Sequence, residues 1–346
     1  MATYIADSTN NHTSSNDVNS NHRLPIWYHP IYTSGIHPDA RFPRDRYTKL
    51  IDKLGTPEYS DKFVVRQPTK ASRKELILAH DPSYVDNFLN QNLNEKEVKR
   101  IGLTPWTPQI IPRTLLLMGG AIAALDHVMK NGGIAGNMAG GTHHAHYDFG
   151  SGYCIFNDLA VCSLLALSKY QLTKIAVVDL DVHQGDGTAT ILQNVDQVLT
   201  ISLHCKQNFP FRKSESDYDL ELPANANDEE ILAMVARALD ITRKFDPELI
   251  LFQAGVDGLA TDALGKLNMS RKGMSKRNEM VFDLATEKLI PMVVFMGGGY
   301  SDPIRHTIDA FVDLFFSASK ANNHILDKVH SGFTNTLEWK DTEGAY

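Results

Sequence analysis

A chain of 346 residues, 42% hydrophobic and 22% charged, can bury the core of one large α/β domain or two smaller ones, which excludes a wholly disordered protein. Its net charge of -7 and pI near 6.0 exclude an overall basic surface, so direct nucleic-acid binding is not expected and only a local basic patch is compatible with this balance.

Residues 1–23 are rich in Asn, Ser, Thr and His with little to bury, and read as a disordered polar tail in which His12 and His22 are incidental. From Pro25 onward apolar runs alternate with Gly- and Asp-bearing turns. Strands are expected at 27–28, 133–136, 175–181, 198–203, 249–254 and 291–296, and helices at 46–54, 113–130, 158–169, 228–245, 270–288 and 303–319. This alternation predicts a single three-layer αβα domain over residues 24–325, with a mainly parallel central sheet and a C-terminal extension over 326–346.

Cys154, Cys162 and Cys205 lack C-x-x-C spacing, so neither a disulfide framework nor a thiolate zinc knuckle is expected. No basic-then-apolar leader is present, and no apolar run approaches the roughly 20 residues of a membrane span, so no membrane partner is expected. The expected location is intracellular, cytoplasmic in the first place, with nuclear entry or secretion without a cleaved signal still compatible.

The most informative stretch is 174–188, KIAVVDLDVHQGDGT. Ile175 to Val178 read as a strand buried on both faces, and continued extension puts Asp179, Asp181 and His183 on one side. Gly185 and Gly187 then allow a tight turn into a helix. Two carboxylates and an imidazole at the carboxyl end of a parallel strand point to a bound cation on top of the sheet. Two more strand exits carry chemistry: LILFQAGVDG delivers Asp257, and MVVFMGGGYS delivers Tyr300 after three glycines. A glycine-rich loop, GNMAGGTHHAHYDFGSGYC, presents the adjacent pair His143 and His144. Ligands, a base and an oxyanion donor in one chain are what a hydrolytic metal site needs.

The strings GGTHHA, GYCIFNDLA, VVDLDVHQGDGTA, TISLHCKQNFPFRK, AGVDGLATDALGKLNMS and MGGGYSDP, in this order, resemble the zinc-dependent histone deacetylase family of the arginase/deacetylase fold over roughly residues 25 to 325. HQGDGTA and NFPFRKSESD are most similar to its compact bacterial and class IV-like branch. The resemblance implies that Asp181, His183 and Asp257 bind one catalytic Zn2+. It implies that His143 and His144 form a proton-transfer pair oriented by Asp179 and Asp186, with His144 the general base and acid, and that Tyr300 is the oxyanion donor. It also implies a tunnel for an acyl-lysine stem lined by Gly152, Tyr153 and Phe209, and a structural potassium ion near Asp179, Asp181, His183, Ser202 and Leu203.

Three positions depart from many relatives. Thr142 stands where an aromatic residue is frequent, Asp186 where Asn is frequent, and His146 matches no catalytic role and reads as a solvated loop residue. The activity implied is removal of acetyl groups, with longer acyl groups left open, from lysine side chains of histones or other proteins. The alternatives are an acetylpolyamine or other small-amide deacetylase, an arginase-type manganese enzyme, and a binding module for acyl-lysine. Leu264, where an acidic residue would favour a polyamine, points to acyl-lysine.

Overall fold

Eight short apolar runs form one sheet: β1 (Leu24–Trp27), β2 (Phe63–Arg66), β3 (Ile134–Asn137), β4 (Ile175–Asp179), β5 (Val198–Cys205), β6 (Tyr218–Leu222), β7 (Leu249–Gln253) and β8 (Met292–Phe295). The helices between them are α1 (Ile31–Ser34), α2 (Arg46–Leu54), α3 (Arg73–Leu76), α4 (Pro82–Leu89), α5 (Glu95–Ile101), α6 (Ile110–Asn131), α7 (Asp158–Tyr170), α8 (Asp186–Leu192), α9 (Asp228–Phe245), α10 (Arg271–Lys288) and α11 (Arg305–Asp341). The computed structural model describes residues 22–341, with side chains to Ser331. Of the expected tail, residues 1–21, and with them His12, lie outside the described residues. His22, expected within the disordered tail, is instead packed on the fold: its ring stacks on His330 of α11 with centroids 5.1 Å apart.

The strand order is β2-β1-β3-β8-β7-β4-β5-β6, and every pairing is parallel. β3, β4, β5, β7 and β8 are buried along their whole length, as expected for parallel strands covered on both faces. α6 and α7 pack on one face of the sheet, and α9, α10 and α11 form the layer on the other. The register aligns the carboxyl ends of the inner strands in one row: Asn137 pairs with Phe295, Phe295 with Gln253, Gln253 with Asp179, and Asp179 with Ser202. The loops leaving that row from the four adjacent strands β3, β8, β7 and β4 carry Asp181, His183, Asp257, the histidine pair and Tyr300. Such a row of carboxyl ends is where open parallel sheets bind ligands.

The structure departs from the sequence expectations at several places. Both edge strands, β2 and β6, and the helices α1, α3, α4 and α5 were not anticipated; β2 is only four residues long and β6 carries Asp219 and Glu221, whereas α4 and α5 carry local capping signals in Asp81-Pro82 and in Asn94 with Glu97. β4 ends at Asp179 instead of running to Asp181, because Asp179 Oδ1 accepts from Asp181 N at 3.1 Å and Asp181 Oδ1 from His183 N at 3.0 Å, two successive side-chain turns. α11 runs on to Asp341, so the boundary set after residue 325 falls inside one continuous helix. One helix, α6, does have the length and composition to cross a membrane; most of it is buried within the fold, against β1, β3 and β8. The three cysteines are free and buried.

Candidate active site

Asp181 and His183 leave the β4 loop, and Asp257 leaves the β7 loop, so that one ligand atom from each lies within 4.8 Å of the others. His183 Nδ1 stands 3.1 Å from Asp181 Oδ1 and 3.1 Å from Asp257 Oδ2. The outer oxygens are already occupied: Asp181 Oδ2 accepts from Gln253 Nε2 at 3.0 Å and Gly298 N at 2.9 Å, and Asp257 Oδ1 accepts from Val182 N at 3.0 Å. Each carboxylate therefore keeps one oxygen for the interior of the cluster. Gly298 is required here, since a Cβ at that position would collide with Asp257 Oδ2.

The electrostatics of the cluster fit a cation. Burial and the charge of Asp181 push the Asp257 carboxyl up to about 7. Burial also disfavours charge on Asp181, but His143 and His183 outweigh it and hold Asp181 below the usual carboxylate range. Burial works against an imidazolium at His183, yet Asp181 and Asp257 raise it to about 10. A divalent ion held by the three would displace the His183 proton and keep both carboxylates ionised. Two carboxylates and one imidazole, with room for further ligands, is a donor set that catalytic zinc uses.

The histidine pair stands beside this cluster, with ring centroids 4.1 Å apart. His143 Nδ1 donates to Asp179 Oδ2 at 2.6 Å, and its Nε2 is 3.9 Å from Asp181 Oδ1. His144 Nδ1 donates to Asp186 Oδ1 at 2.6 Å, which leaves Nε2 as the free nitrogen. The two differ in charge preference. Burial opposes charge on both, but Asp179 and Asp181 raise His143 to about 9, whereas the neighbouring His143 helps to hold His144 down to about 4. Asp186 is kept well below the carboxylate range by its two histidine partners, against the effect of burial. Tyr300 has its hydroxyl raised well above its ordinary value by burial, so it stands as a neutral donor.

His143, His144, Asp181, His183, Asp257 and Tyr300 line one cavity of about 490 Å3, together with Gly152, Tyr153, Phe209 and Leu264, while Asp179 and Asp186 stand behind the histidines and outside its lining. Phe209 meets His144 edge to face at 4.9 Å, and a Cβ on Gly152 would stand 2.6 Å from His144 Cδ2. Leu264 is 43% exposed and marks the open end. Behind the cluster, Asp179 and Ser202 are register neighbours, Ser202 Oγ lies 3.0 Å from His204 Nδ1, and Leu203 is buried.

His146 is not the solvated loop residue its position suggested. Its Nε2 stands 3.1 Å from Asp186 Oδ2, its Nδ1 is 2.9 Å from Thr190 Oγ1, and Phe149 stacks on the ring at 4.4 Å. Other supports also escaped the sequence reading. Asp158 accepts from Gly141 N, Thr142 N and Thr142 Oγ1, fixing the loop that carries the histidine pair. Buried Arg277 donates to the carbonyls of Leu180, Ala254 and Gly255 beneath the two ligand loops, and buried Arg46 to those of Gly297 and Gly299. Asp158 follows Asn157, an N-cap signal that was available; the arginines carry no local signal.

A histone deacetylase domain profile matches residues 40–315, most of the chain. The chain belongs to the histone deacetylase family. Histone deacetylase 2 of Arabidopsis thaliana is 28% identical over 77% of this chain and 70% of its own length. The histone deacetylase-like amidohydrolase of Pseudomonas aeruginosa is 29% identical over 81% of this chain and 77% of its own length. An uncharacterized protein of Picosynechococcus is 39% identical over 82% of this chain and 95% of its own length. As a member of the histone deacetylase family the chain is a hydrolase acting on an acetylated amide, and the eight-stranded parallel sheet is consistent with the arginase/deacetylase fold.

Proposed function

We propose that this protein is a zinc-dependent deacetylase that removes acetyl groups from lysine side chains of proteins or peptides. The observation that carries the proposal is the placement of His144, uncharged and with Nε2 free, beside the Asp181–His183–Asp257 cluster in one cavity. Asp181, His183 and Asp257 would hold the ion. When bound, Zn2+ polarises the scissile carbonyl and lowers the pKa of water.

The protein's own groups supply the remaining chemistry. Gly152, Tyr153 and Phe209 grip the aliphatic stem of the lysine, and Leu264 packs at the mouth. His144 Nε2 takes a proton from the attacking water and returns it to the lysine nitrogen as the C–N bond breaks, releasing acetate and a free amine. Asp186 orients His144 and stabilises its transient charge. Tyr300 donates its hydroxyl hydrogen to the carbonyl oxygen as negative charge develops there. His143, held by Asp179, keeps a positive charge next to the reacting centre. A potassium ion along Asp179, Asp181, His183, Ser202 and Leu203 belongs to the same proposal, where it would offset carboxylate charge behind the site.

The test is a panel of acetyl-lysine peptide, longer acyl-lysine peptides and acetylpolyamines, assayed before chelation, after chelation and after zinc is restored. Turnover of acetyl-lysine peptide that is lost on chelation and regained with zinc is the expected result. Preference for an acetylpolyamine, or turnover indifferent to chelation, would contradict it.

A further inference from the structure

The mouth of the cavity carries a charge opposite to that of the whole chain. Its exposed lining residues include Arg100, Gln207, Phe211, Leu264 and Lys266, whereas the carboxylates that line the cavity, Asp181 and Asp257, are both buried. Neither cation forms an ion pair among the described residues. Both are nevertheless held in place: the Arg100 guanidinium lies 4.6 Å from the Phe149 ring centroid, and Lys266 Nζ donates to Gln207 O at 3.0 Å. A third cation, Arg41, acts on Tyr153 from nearby, partly offsetting the burial that raises the Tyr153 hydroxyl above its ordinary value.

The nearby acids are turned to other partners and pair with neither Arg100 nor Lys266 among the described residues. Asp262 is committed to the backbone N–H groups of Leu264, Gly265 and Tyr300. Glu97, one turn before Arg100, is used in the cap of α5, where it accepts from Asn94 N at 2.7 Å. Neither Glu97 nor Asp148 lines the cavity. In a chain of net charge -7, fixed cations around a carboxylate-free mouth attract anionic groups and repel cationic ones.

Resting on the deacetylase reading above, we infer that the mouth selects acetyl-lysine peptides that carry Asp or Glu beside the modified lysine, and disfavours the lysine- and arginine-rich flanks of a basic tail. Phe211, 87% exposed, offers apolar surface on the same rim for the peptide backbone and stems. Arg100 and Lys266 are specificity-determining residues on this reading. They touch the flanks and not the scissile amide.

The experiment compares zinc-loaded enzyme on three acetyl-lysine peptides that differ only in their flanking residues, which are Glu, Gln or Lys. The Glu peptide should exceed the Lys peptide by about 5-fold or more in kcat/KM at low salt, since each exposed pair contributes modestly. The gap should narrow as ionic strength rises. Arg100→Glu with Lys266→Glu should reverse the order. Each comparison is a ratio within one protein, so a change in overall activity of the variant cancels, and the salt series on the wild type decides the matter if the variant misfolds. Equal rates on all three peptides, or a preference that the double variant or salt leaves unchanged, would overturn the selectivity while leaving the deacetylase reading intact. Turnover of none of the three would overturn both.

Discussion

His146 Nε2 stands 3.1 Å from Asp186 Oδ2, on the opposite carboxylate oxygen from the one that receives His144 Nδ1 at 2.6 Å. The carboxylate that orients the proposed base is thus clamped from both sides. His146→Leu should lower kcat about 5-fold, the effect of losing one hydrogen bond, with KM and bound metal little changed. His146→Gln, whose amide reaches a similar position to Nε2, should recover most of the rate. In a His144→Ala background the His146→Leu change should have no further effect, because its only route to the chemistry is removed. Steady-state kinetics of the wild type and the four variants checks this; an equal fall in both backgrounds would make His146 a packing residue.

Asp186→Asn tests the charge of that clamp. Burial and His143 hold His144 down, and Asp186 opposes them by stabilising the imidazolium. Replacing the carboxylate with an amide removes the opposing effect, so the His144 pKa falls further. A base must be deprotonated to act, so the acid limb of kcat/KM should move to lower pH while the plateau rate declines. The pH–rate profile of the zinc-loaded variant reads both. A limb displaced to higher pH would reverse the assigned sign.

Tyr300→Phe removes only the hydroxyl and leaves the ring packed against Phe42 and Tyr153. Turnover of acetyl-lysine peptide should fall about 10²- to 10³-fold, with thermal stability and metal content preserved. A rate within a few-fold of wild type would remove Tyr300 from the chemistry.

Leu264→Glu places a carboxylate at the open end of the cavity, where a secondary ammonium would sit. The ratio of kcat/KM for acetylpolyamine over acetyl-lysine peptide should rise, through a new charge contact and poorer packing on the peptide. An unchanged ratio would show that residue 264 does not meet the substrate.

Much of the site is legible in sequence because the apolar run of β4 and the glycines after β8 are local signals of strands that end in chemistry. What bends the chain is less visible. Asp179 and Asp181 read as neighbours on one face, yet the side-chain turns after Asp179 send one carboxylate to His143 and bring the other into the cluster with His183 and Asp257. The supports are harder still. Arg277 sits in RKGMSKRNEM among charges that face solvent, and only the tertiary fold brings it under three carbonyls of two distant loops. His146 looked unemployed because its partners, Asp186 and Thr190, lie 40 and 44 residues away. The edge strand β6, with Asp219 and Glu221 between its apolar residues, depends on pairing with β5, whereas β2, FVVR, has a strand-type composition but is only four residues long.

The central claim is that one zinc ion, held by Asp181, His183 and Asp257, supports deacetylation. The most direct measurement is a zinc titration of chelated protein with release of acetate from an acetyl-lysine peptide as the signal. Activity should rise in proportion to added zinc and level off at one ion per chain, and Asp181→Ala should neither retain zinc nor respond. Full activity in metal-free protein, a plateau at two ions per chain, or undiminished zinc in a folded Asp181→Ala protein would contradict the account.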